Sequence, residues 1–179
     1  RGVGKTTAAR VFAKALNCER GAANGPCNEC ATCEEITKGA DMDVLEIDAA
    51  THTGVDNIRE VIIDGLQVRP ARDRYKVFII DEVHQLSSPS FSALLKSIGE
   101  PPAHVAFIMA TTAPDKIPDT LVSRSQLFAF KTISSRAIAE QLRKIADADG
   151  LTVSSEAVAL VARSAEGSMR DAETAFDQV

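Results

Sequence analysis

The sequence predicts an α/β fold with a mostly parallel sheet, followed by a small all-helical unit. Apolar runs alternate with segments of helical periodicity as far as Lys131, which is typical of strands joined by crossover helices. The run over residues 77–80 is apolar throughout, as in a strand that helices cover on both faces. After Lys131 only helical patterns follow.

The first part of the chain alternates between predicted helices and strands. Apolar residues at helical spacing place the first helix over residues 5–17. Further helices are expected over residues 55–66 and from Ser88 or Ser90 to the stop at Pro101-Pro102. Strands are expected over residues 44–48, 76–80, 105–110 and 127–130. A compact cysteine-rich insert, over about residues 18–39, precedes the first strand.

Serines predict the starts of the helices in the second part of the chain. These helices are expected from Ser135 to near Gly150, from Ser154 or Ser155 to near Gly167, and from Ser168 onward. Asp171 stands where a capping box with Ser168 requires an acidic partner. With a hinge at residues 131–134, we expect a first domain over residues 1–131 and a helical domain over residues 132–179.

The composition is that of an ordinary globular protein, with 45% hydrophobic and 25% charged residues. No apolar run approaches the roughly 20 residues of a membrane span, so we expect no membrane partner. The net charge of −5 argues against a surface that wraps DNA along the whole chain. Any contact with nucleic acid should therefore be local or be built by several subunits together.

The start of the chain has the pattern of a phosphate-binding loop. Its residues are Gly2, Val3, Gly4, Lys5, Thr6 and Thr7. In the full pattern, G-x-x-x-x-G-K-[ST], backbone N–H groups surround the phosphates, the Lys contacts the β and γ phosphates, and the hydroxyl binds Mg²⁺. Lys5 and Thr6 hold these last two positions. The first Gly of the pattern, and the strand that feeds the loop, are expected before Arg1.

Two carboxylates, Asp81 and Glu82, directly follow the apolar run over residues 77–80. Ligands bind beyond the carboxyl ends of parallel strands. Asp81 would hold Mg²⁺ through water, and Glu82 would orient and deprotonate the attacking water. A Gly-rich turn and a solvated acidic turn are the alternatives, but the two motifs in one chain predict hydrolysis of a nucleoside triphosphate. His84 is equally well explained as a hydrogen-bonded structural histidine.

The chain's 4 cysteines lie close together in the insert, with the spacing C-x8-C-x2-C-x2-C. They are Cys18, Cys27, Cys30 and Cys33. Four such thiolates suit a tetrahedral structural Zn²⁺, which has no open position for catalysis. Disulfides are an alternative that suits secreted proteins. An iron–sulfur cluster is another, although the chain lacks the fourth Cys and the Pro of the ferredoxin run.

Further polar residues are candidates for the nucleotide site. Thr111 and Thr112 follow the strand over residues 105–110, so a hydroxyl there could reach the γ-phosphate or the attacking water. Arg170 falls in the first turn of its helix, where the helix dipole disfavours a cation, and an anionic partner such as a phosphate would compensate. A Thr-rich strand end and, for Arg170 and Arg124, a solvated surface position are the alternatives.

Motifs along the whole chain carry a resemblance to one family. They are Gly2-Val3-Gly4-Lys5-Thr6, the four-Cys insert, Glu46-Ile47-Asp48-Ala49-Ala50, Asp81-Glu82-Val83-His84, Ala93-Leu94-Leu95-Lys96, Glu100-Pro101-Pro102, Ala110-Thr111-Thr112, Ser123-Arg124 and Glu166-Gly167-Ser168-Met169-Arg170-Asp171. In these residues the chain resembles the bacterial clamp-loader ATPases, the gamma/tau subunits of DNA polymerase III. The resemblance implies an AAA+ P-loop NTPase core with a zinc-binding insert, followed by a helical lid domain.

The resemblance also implies a role for each candidate. Lys5 and Thr6 would contact phosphate and Mg²⁺, Asp81 and Glu82 would be the Walker B pair, Thr112 (or Thr111) sensor 1, Arg124 a finger that acts in trans, and Arg170 sensor 2. ATP, Mg²⁺ and Zn²⁺ are the implied cofactors. The implied partners are the delta and delta-prime subunits, further gamma/tau copies, the sliding clamp and primed DNA, in a cytoplasmic replisome at the nucleoid.

The chain departs from the family pattern in a few places. Ser125 replaces the Cys of the Ser-Arg-Cys finger motif, and Gly99 replaces the first Glu of Glu-Glu-Pro-Pro. The loop over residues 51–54 lacks the usual basic residues, so Lys96 is the better candidate for a DNA contact.

Two other functions are considered. One is a non-catalytic delta-prime-like stator, which has no need of the intact Lys5 and Glu82 motifs. The other is an AAA+ ATPase of another pathway, such as a helicase loader or a replication-factor-C-like subunit. The zinc insert after the first helix disfavours this second function.

Overall fold

The computed structural model describes residues 1–21, 23, 25–51 and 55–178, with side chains at all of these positions except 55–60, 88, 89, 93 and 96. The chain divides into two compact units. The larger unit spans Thr6–Leu127, and the smaller unit combines Arg1–Lys5 with Phe128–Val179. The predicted domain boundary after Lys131 stays a prediction.

The helices and strands predicted as far as residue 109 occur in the predicted order, and the structure adds two α-helices that the sequence did not predict. The helices are α1 (Lys5–Asn17), α2 (Ala31–Lys38), α3 (Val55–Gln67), α4 (Ser88–Gly99) and α5 (Asp119–Val122). The strands are β1 (Val44–Asp48), β2 (Lys76–Asp81) and β3 (Val105–Met109). Short 3-10 helices lie at Val83–Gln85 and Pro114–Lys116.

The strands form a parallel sheet in the order β1-β2-β3, so β2 is central. Asp48 lies opposite Asp81 across the β1–β2 pair, and Ile80 lies opposite Met109 across the β2–β3 pair. The ends of the strands that carry the predicted site therefore lie at one edge of the sheet. The prediction of a mostly parallel α/β sheet is confirmed.

The apolar run of β2 is buried on both faces. Val77 and Ile79 pack with Ala9 and Ala13 of α1 and Ile36 of α2. Phe78 and Ile80 pack into the main core on the opposite face, which includes Ile62, Leu94 and Ile98 of α3 and α4. The side chains of the four residues in this apolar run are all 0% exposed. This double cover explains why the run is continuously apolar instead of alternating with polar residues.

The strand predicted over residues 127–130 is wrong. The segment has no regular secondary structure, and no strand in the described part of the chain pairs with it. A strand needs a neighbour for its backbone N–H and C=O groups, and a preference for apolar residues does not supply one. Leu127 and Phe128, whose side chains favoured the strand, are 71% and 69% exposed.

The N-cap of α4 also differs from the prediction. Ser87 caps the helix, with its Oγ accepting from the N–H of Ser90 at 3.3 Å, where the sequence predicts Ser88 or Ser90 as the cap. The reason is Pro89, which falls in the first turn of α4. A Pro is tolerated there because its missing N–H would have no partner within the helix.

The smaller unit contains the helices α6 (Ser135–Ala148), α7 (Ser155–Ser164) and α8 (Met169–Phe176). Ser134, Ser154 and Ser168 cap them, each hydroxyl accepting a backbone N–H from the first turn. Ile138 and Leu142 lie in the buried core that the three helices share. The predicted helical unit is confirmed. None of the helices in the described residues has the length and apolar character needed to cross a bilayer.

Asn17, the last residue of α1, joins that helix to the sheet. Its side chain is buried, and its Nδ2 donates to the carbonyl of Tyr75 at 2.9 Å while its Oδ1 accepts from the N–H of Tyr75 at 3.0 Å. Tyr75 directly precedes β2, so the amide satisfies both of its backbone groups before the ladder begins. Arg10 adds a second link through two hydrogen bonds, of 2.9 and 3.0 Å, to the carboxylate of Glu46 in β1.

We expect Asn17→Ala to lower the free energy of unfolding by about 1–3 kcal/mol, because it leaves two partly buried backbone groups without partners. Gln141→Ala, at an exposed position of α6, is the control and should change it by less than about 0.5 kcal/mol. Urea unfolding followed by circular dichroism measures both values. A change at Asn17 no larger than that of the control would contradict the anchoring role.

Candidate functional site

The residues of the predicted phosphate loop lead directly into a helix, since α1 begins at Lys5. Gly2 and Gly4 have φ angles of +66° and +88°, in the left-handed region that favours glycine. Such a turn before a helix N-terminus presents backbone N–H groups to an anion, and the helix dipole favours negative charge there. This backbone geometry suits phosphate groups.

Gly2 lies against the start of α8 within the smaller unit. Its carbonyl accepts a hydrogen bond from the N–H of Met169 at 2.8 Å. A Cβ atom at Gly2 would clash with the hydroxyl of Ser168 and would lie 3.4 Å from Cβ of Arg170. The exposed side chain of Arg170 therefore begins beside the loop, which is where a residue that contacts the same phosphates must start.

Thr6 and Asp81, the two residues predicted to hold Mg²⁺, are in direct contact. The hydroxyl of Thr6 donates to Oδ2 of Asp81 at 2.6 Å, although 75 positions separate them in the chain. The other oxygen of Asp81 accepts from the N–H of Glu82 at 2.9 Å. Hydroxyl and carboxylate oxygens are ligands that Mg²⁺ prefers. The arrangement therefore fits the metal of a nucleotide complex.

Glu82 follows β2 in a left-handed conformation, with φ of +48°. Its Oε2 accepts two hydrogen bonds from Thr112, one from the backbone N–H at 3.0 Å and one from the hydroxyl at 2.9 Å. The structure thus brings the predicted base and the predicted sensor threonine together. A non-glycine residue at positive φ is uncommon, and such strain concentrates at functional sites.

His84, whose role the sequence left open, belongs to the same cluster, together with the predicted candidate Thr111. Nδ1 of His84 lies 2.9 Å from the hydroxyl oxygen of Thr111 and 3.3 Å from Oε2 of Glu82. For His84 the signal in the sequence was its position, two residues after Glu82.

Arg124 makes its hydrogen bond to a different part of the chain. Its side chain is exposed, and Nη1 donates to the carbonyl of Thr120 in α5 at 2.7 Å. In the described structure it makes no hydrogen bond or ion pair with Asp81 or Glu82. The side chain of Lys96 and the residues 52–54 lie outside the described part of the chain, so the expectation about DNA contacts stays a prediction.

The four cysteines of the insert form a compact cluster. The sulfur atoms of the four residues all lie within 4.8 Å of one another; the residues are Cys18, Cys27, Cys30 and Cys33. All four are free thiols, so the cluster contains no disulfide. The N–H of Cys27 donates to the sulfur of Cys18 at 3.4 Å, which orients one ligand towards the others. Four converging sulfurs fit a tetrahedral zinc site.

The electrostatics of the cluster also fit a cation. The N–H groups of Glu29 and Cys30 donate to the sulfur of Cys27 at 3.5 and 3.3 Å and lower the pKa of this thiol to about 6. Burial raises the pKa of the Cys33 thiol to about 12. A divalent metal reverses the effect of burial, because a coordinating thiol is deprotonated. The donor set therefore suits Zn²⁺ as the counter-charge of buried thiolates.

The cysteine insert is attached to the chain segment that leads into β2. The hydroxyl of Thr32 in α2 donates to Oδ1 of Asp73 at 3.1 Å. Arg72 binds the carboxylate of Glu35 in α2 through two hydrogen bonds, of 3.1 and 2.7 Å. Arg74 donates to the carbonyl of Cys18 at 2.7 Å. The insert and the strand that carries Asp81 thus share one anchor.

Asp41, Asp43 and Asp73 form an acidic group within this anchor, with oxygen atoms within 4.8 Å of one another. Backbone N–H groups and one guanidinium compensate much of the negative charge of this group. Asp43 accepts the N–H groups of Ala71, Arg72 and Asp73 at 2.8, 2.9 and 3.0 Å. The guanidinium of Arg72 binds Asp41 at 2.8 Å. These bonds give the group a structural role in holding the loop over residues 71–73.

Two family models together match nearly the whole chain. The model described as DNA polymerase III, delta subunit, matches residues 1–134. The model described as DNA polymerase III clamp loader subunit, ATPase lid domain, matches residues 137–179. Sequence relatives point the same way.

The chain is 53% identical over 178 residues to DNA polymerase III subunit tau of Bacillus subtilis (strain 168), and the match covers 99% of this chain and 31% of the relative. It is 48% identical over 178 residues to DNA polymerase III subunit tau of Escherichia coli (strain K12), covering 99% and 28%. With DNA polymerase III subunit gamma of Buchnera aphidicola subsp. Schizaphis graminum it shares 49% over 172 residues, covering 96% and 47%. The chain thus spans less than half the length of these relatives.

Solved structures show the fold. The RuvB Holliday junction branch migration motor of Thermotoga maritima aligns with a TM-score of 0.68 at 17% identity, over 98% of this chain and 50% of that one. A DNA polymerase III gamma subunit-related protein of the same species aligns with a TM-score of 0.54 at 19% identity, over 97% and 57%. The fold is that of an AAA+ ATPase, and from the family models and relatives the chain belongs to the DNA polymerase III clamp-loader family of gamma/tau subunits.

Proposed function

We propose that the chain is the ATP-hydrolysing part of a clamp-loader motor subunit, which loads the sliding clamp onto primed DNA within the DNA polymerase III holoenzyme. The hydrogen bond of 2.6 Å between Thr6 and Asp81 carries the proposal. It joins the end of the phosphate loop to the strand end that carries Glu82. Family membership supports the biological setting.

MgATP is the proposed substrate. The phosphate loop, from Gly2 to Thr7, surrounds the phosphates with N–H groups, and Lys5 neutralises the β and γ phosphates. The hydroxyl of Thr6 and, through water, the carboxylate of Asp81 hold Mg²⁺. Arg170 starts beside Gly2 and adds a second cation for the γ-phosphate.

Glu82 is the proposed base for hydrolysis. It takes a proton from the water that attacks the γ-phosphorus, and ADP leaves as the bond to the β-phosphate oxygen breaks. The two hydrogen bonds from Thr112 fix one oxygen of the Glu82 carboxylate. A fixed base gains in rate because the reacting groups need no further alignment.

Arg124 is proposed to act on the ATP of a neighbouring subunit. The negative charge of the transition state spreads over the γ-phosphate oxygens, and an arginine supplied in trans stabilises it. The exposed position of Arg124 and its lack of contact with Asp81 and Glu82 in the described structure are compatible with this role. Hydrolysis would then depend on assembly, which suits a loader that must wait for clamp and DNA.

The cysteine cluster is proposed to bind one structural Zn²⁺ through Cys18, Cys27, Cys30 and Cys33. Zinc supplies folding free energy to such a module and no catalytic chemistry, since four sulfurs fill its coordination sphere. The chain's own residues attach the module to the segment before β2, chiefly through Thr32 and Arg72.

The proposed partners are the delta and delta-prime subunits, further gamma/tau copies, the sliding clamp and primed DNA, in a cytoplasmic replisome. A non-catalytic stator would not need Lys5, Asp81 and Glu82, and their presence favours the motor. The parent protein should hydrolyse ATP faster when its partner subunits, the clamp and primed DNA are all present. Hydrolysis that ignores clamp and DNA would contradict the proposal.

In the parent protein, Glu82→Gln should leave the affinity for ATP unchanged and slow single-turnover hydrolysis by about 10²–10⁴-fold, the usual contribution of a general base. The amide keeps the size of the carboxylate and loses its basicity. Glu34→Gln, at an exposed site of α2, is the matched control. Rapid-quench hydrolysis near the wild-type rate in Glu82→Gln would mean that another group is the base.

The purified parent protein should contain about one Zn²⁺ per chain, because four thiolates saturate one tetrahedral ion. Cys30→Ser should lose the zinc and lower the melting temperature, whereas Glu34→Gln on the same module should do neither. Elemental analysis with calorimetry measures both effects. Iron in place of zinc, or metal-free reduced protein of full stability, would overturn the assignment.

Mixed assemblies test the trans action of Arg124. Arg124→Ala assemblies and Glu82→Gln assemblies should each hydrolyse ATP slowly, while a mixture of the two subunits should exceed both. In the mixture some sites combine an intact Glu82 with an intact Arg124 from the neighbour. If mixing restores no activity, and Arg124→Ala already blocks hydrolysis by an isolated subunit, the arginine acts in cis.

A further inference from the structure

Two donors of Thr112 and one imidazole nitrogen of His84 converge on one oxygen of Glu82. Oε2 lies 3.0 Å from the N–H nitrogen of Thr112, 2.9 Å from its hydroxyl and 3.3 Å from Nδ1 of His84. Oε1 has no hydrogen-bond partner in the described structure. The carboxylate is thus held from one side, and its other oxygen stays available.

The backbone around this cluster is fixed by the sheet. The N–H of Val83 donates to the carbonyl of Ala110 at 3.0 Å, and the N–H of Ala110 donates to the carbonyl of Ile80 at 2.9 Å. These two bonds tie the end of β2 to the end of β3, where Thr111 follows. The side chain of His84 is only 11% exposed, so it has little freedom to leave the cluster.

The charge of Glu82 decides where the proton of His84 sits. If Nδ1 carried a lone pair, that lone pair would face the carboxylate oxygen at 3.3 Å. A proton on Nδ1 turns this repulsion into an electrostatic attraction. The hydroxyl oxygen of Thr111, 2.9 Å away, is the hydrogen-bond partner of Nδ1, and it accepts when Nδ1 carries the proton.

Thr111 is itself oriented. Its hydroxyl oxygen accepts the N–H of Ala113 at 3.0 Å, which directs the oxygen towards the imidazole. Consecutive threonines thus have separate tasks: Thr112 binds Glu82, and Thr111 holds His84 beside it. The two residues come from one strand end, and the histidine and the glutamate come from the neighbouring one.

We propose that His84 is a positioning residue for ATP hydrolysis, whose Nδ1–H, oriented by Thr111, attracts Oε2 of Glu82 so that Oε1 faces the attacking water. The proposal rests on the proposed function, in which Glu82 is the base. The water proton passes to Oε1, and His84 neither gains nor loses a proton. A rotating carboxylate would lose its alignment with the water, and alignment contributes strongly to the rate.

Matched substitutions at position 84 separate positioning from general stability. His84→Ala removes the N–H, His84→Asn places an amide N–H near the position of Nδ1, and His84→Gln places it near the position of Nε2. In the parent protein assembled with its partner subunits, clamp and primed DNA, His84→Ala should lower kcat about tenfold. KM and the affinity for ATP should stay unchanged. His84→Asn should recover most of the rate, and His84→Gln should not.

A double-mutant comparison then identifies the target of His84. In a Glu82→Gln background, His84→Ala should slow hydrolysis no further, because the base that it positions is already gone. Wild-type kcat in His84→Ala, with Glu82→Gln still slow, would overturn the role of His84 and leave the proposed function standing. Wild-type hydrolysis in Glu82→Gln would overturn both. A similar loss in the Ala, Asn and Gln variants, with a lower melting temperature, would mean a structural histidine only.

Discussion

The burial of β2 is the constraint on which the site depends. Its apolar residues are inaccessible to solvent, and parallel strands pair with it on both sides. A strand held in this way cannot shift its register without exposing its side chains. Asp81 and Glu82 begin where that strand leaves the core, so their backbone positions are set by the packing of residues that take no part in the chemistry. The backbone positions of Thr111 and Thr112 are fixed in the same way, because these residues follow β3, which pairs with β2.

The parts of the site that could be predicted were those fixed by a local rule. Spacing alone placed the cysteines together, and the shared edge of a parallel sheet placed Asp81 near the phosphate loop. His84 could not be placed, because its contact with Glu82 depends on a left-handed turn that a non-glycine residue rarely adopts. The anchor of Arg72 and Asp43 was also missed, since its partners lie about thirty residues apart and follow no periodicity.

The fold was predictable to a similar degree and for similar reasons. Helices with serine caps and strands with continuous apolar runs carry their own signals. The segment over residues 127–130 carried a strand signal too, but strand formation needs a neighbour, and composition does not report whether one is present. The cap of α4 moved to Ser87 because the proline two positions on fixes where a helix can begin. Both wrong predictions therefore concern features whose formation depends on another strand or residue.

Two carboxylates of the acidic group, Asp43 and Asp73, respond to acid in opposite ways. Burial raises the pKa of Asp43, but the N–H groups of Asp73, Ala71 and Arg72 outweigh it, so its pKa lies below the ordinary range. Its stabilising contribution is present above the unfolded pKa of about 3.9 and is lost as the pH falls through the folded value.

Burial and the neighbouring charge of Asp41 instead raise the pKa of Asp73. The contribution of this residue is present below about pH 3.9 and is lost as the pH rises through its folded pKa. As the pH falls, Asp73 is therefore protonated first, which removes an unfavourable buried charge before the hydrogen bonds of Asp43 are weakened. A modest fall in pH therefore leaves the attachment of the insert to the segment before β2 intact, because the contribution of Asp73 to stability rises before that of Asp43 is lost.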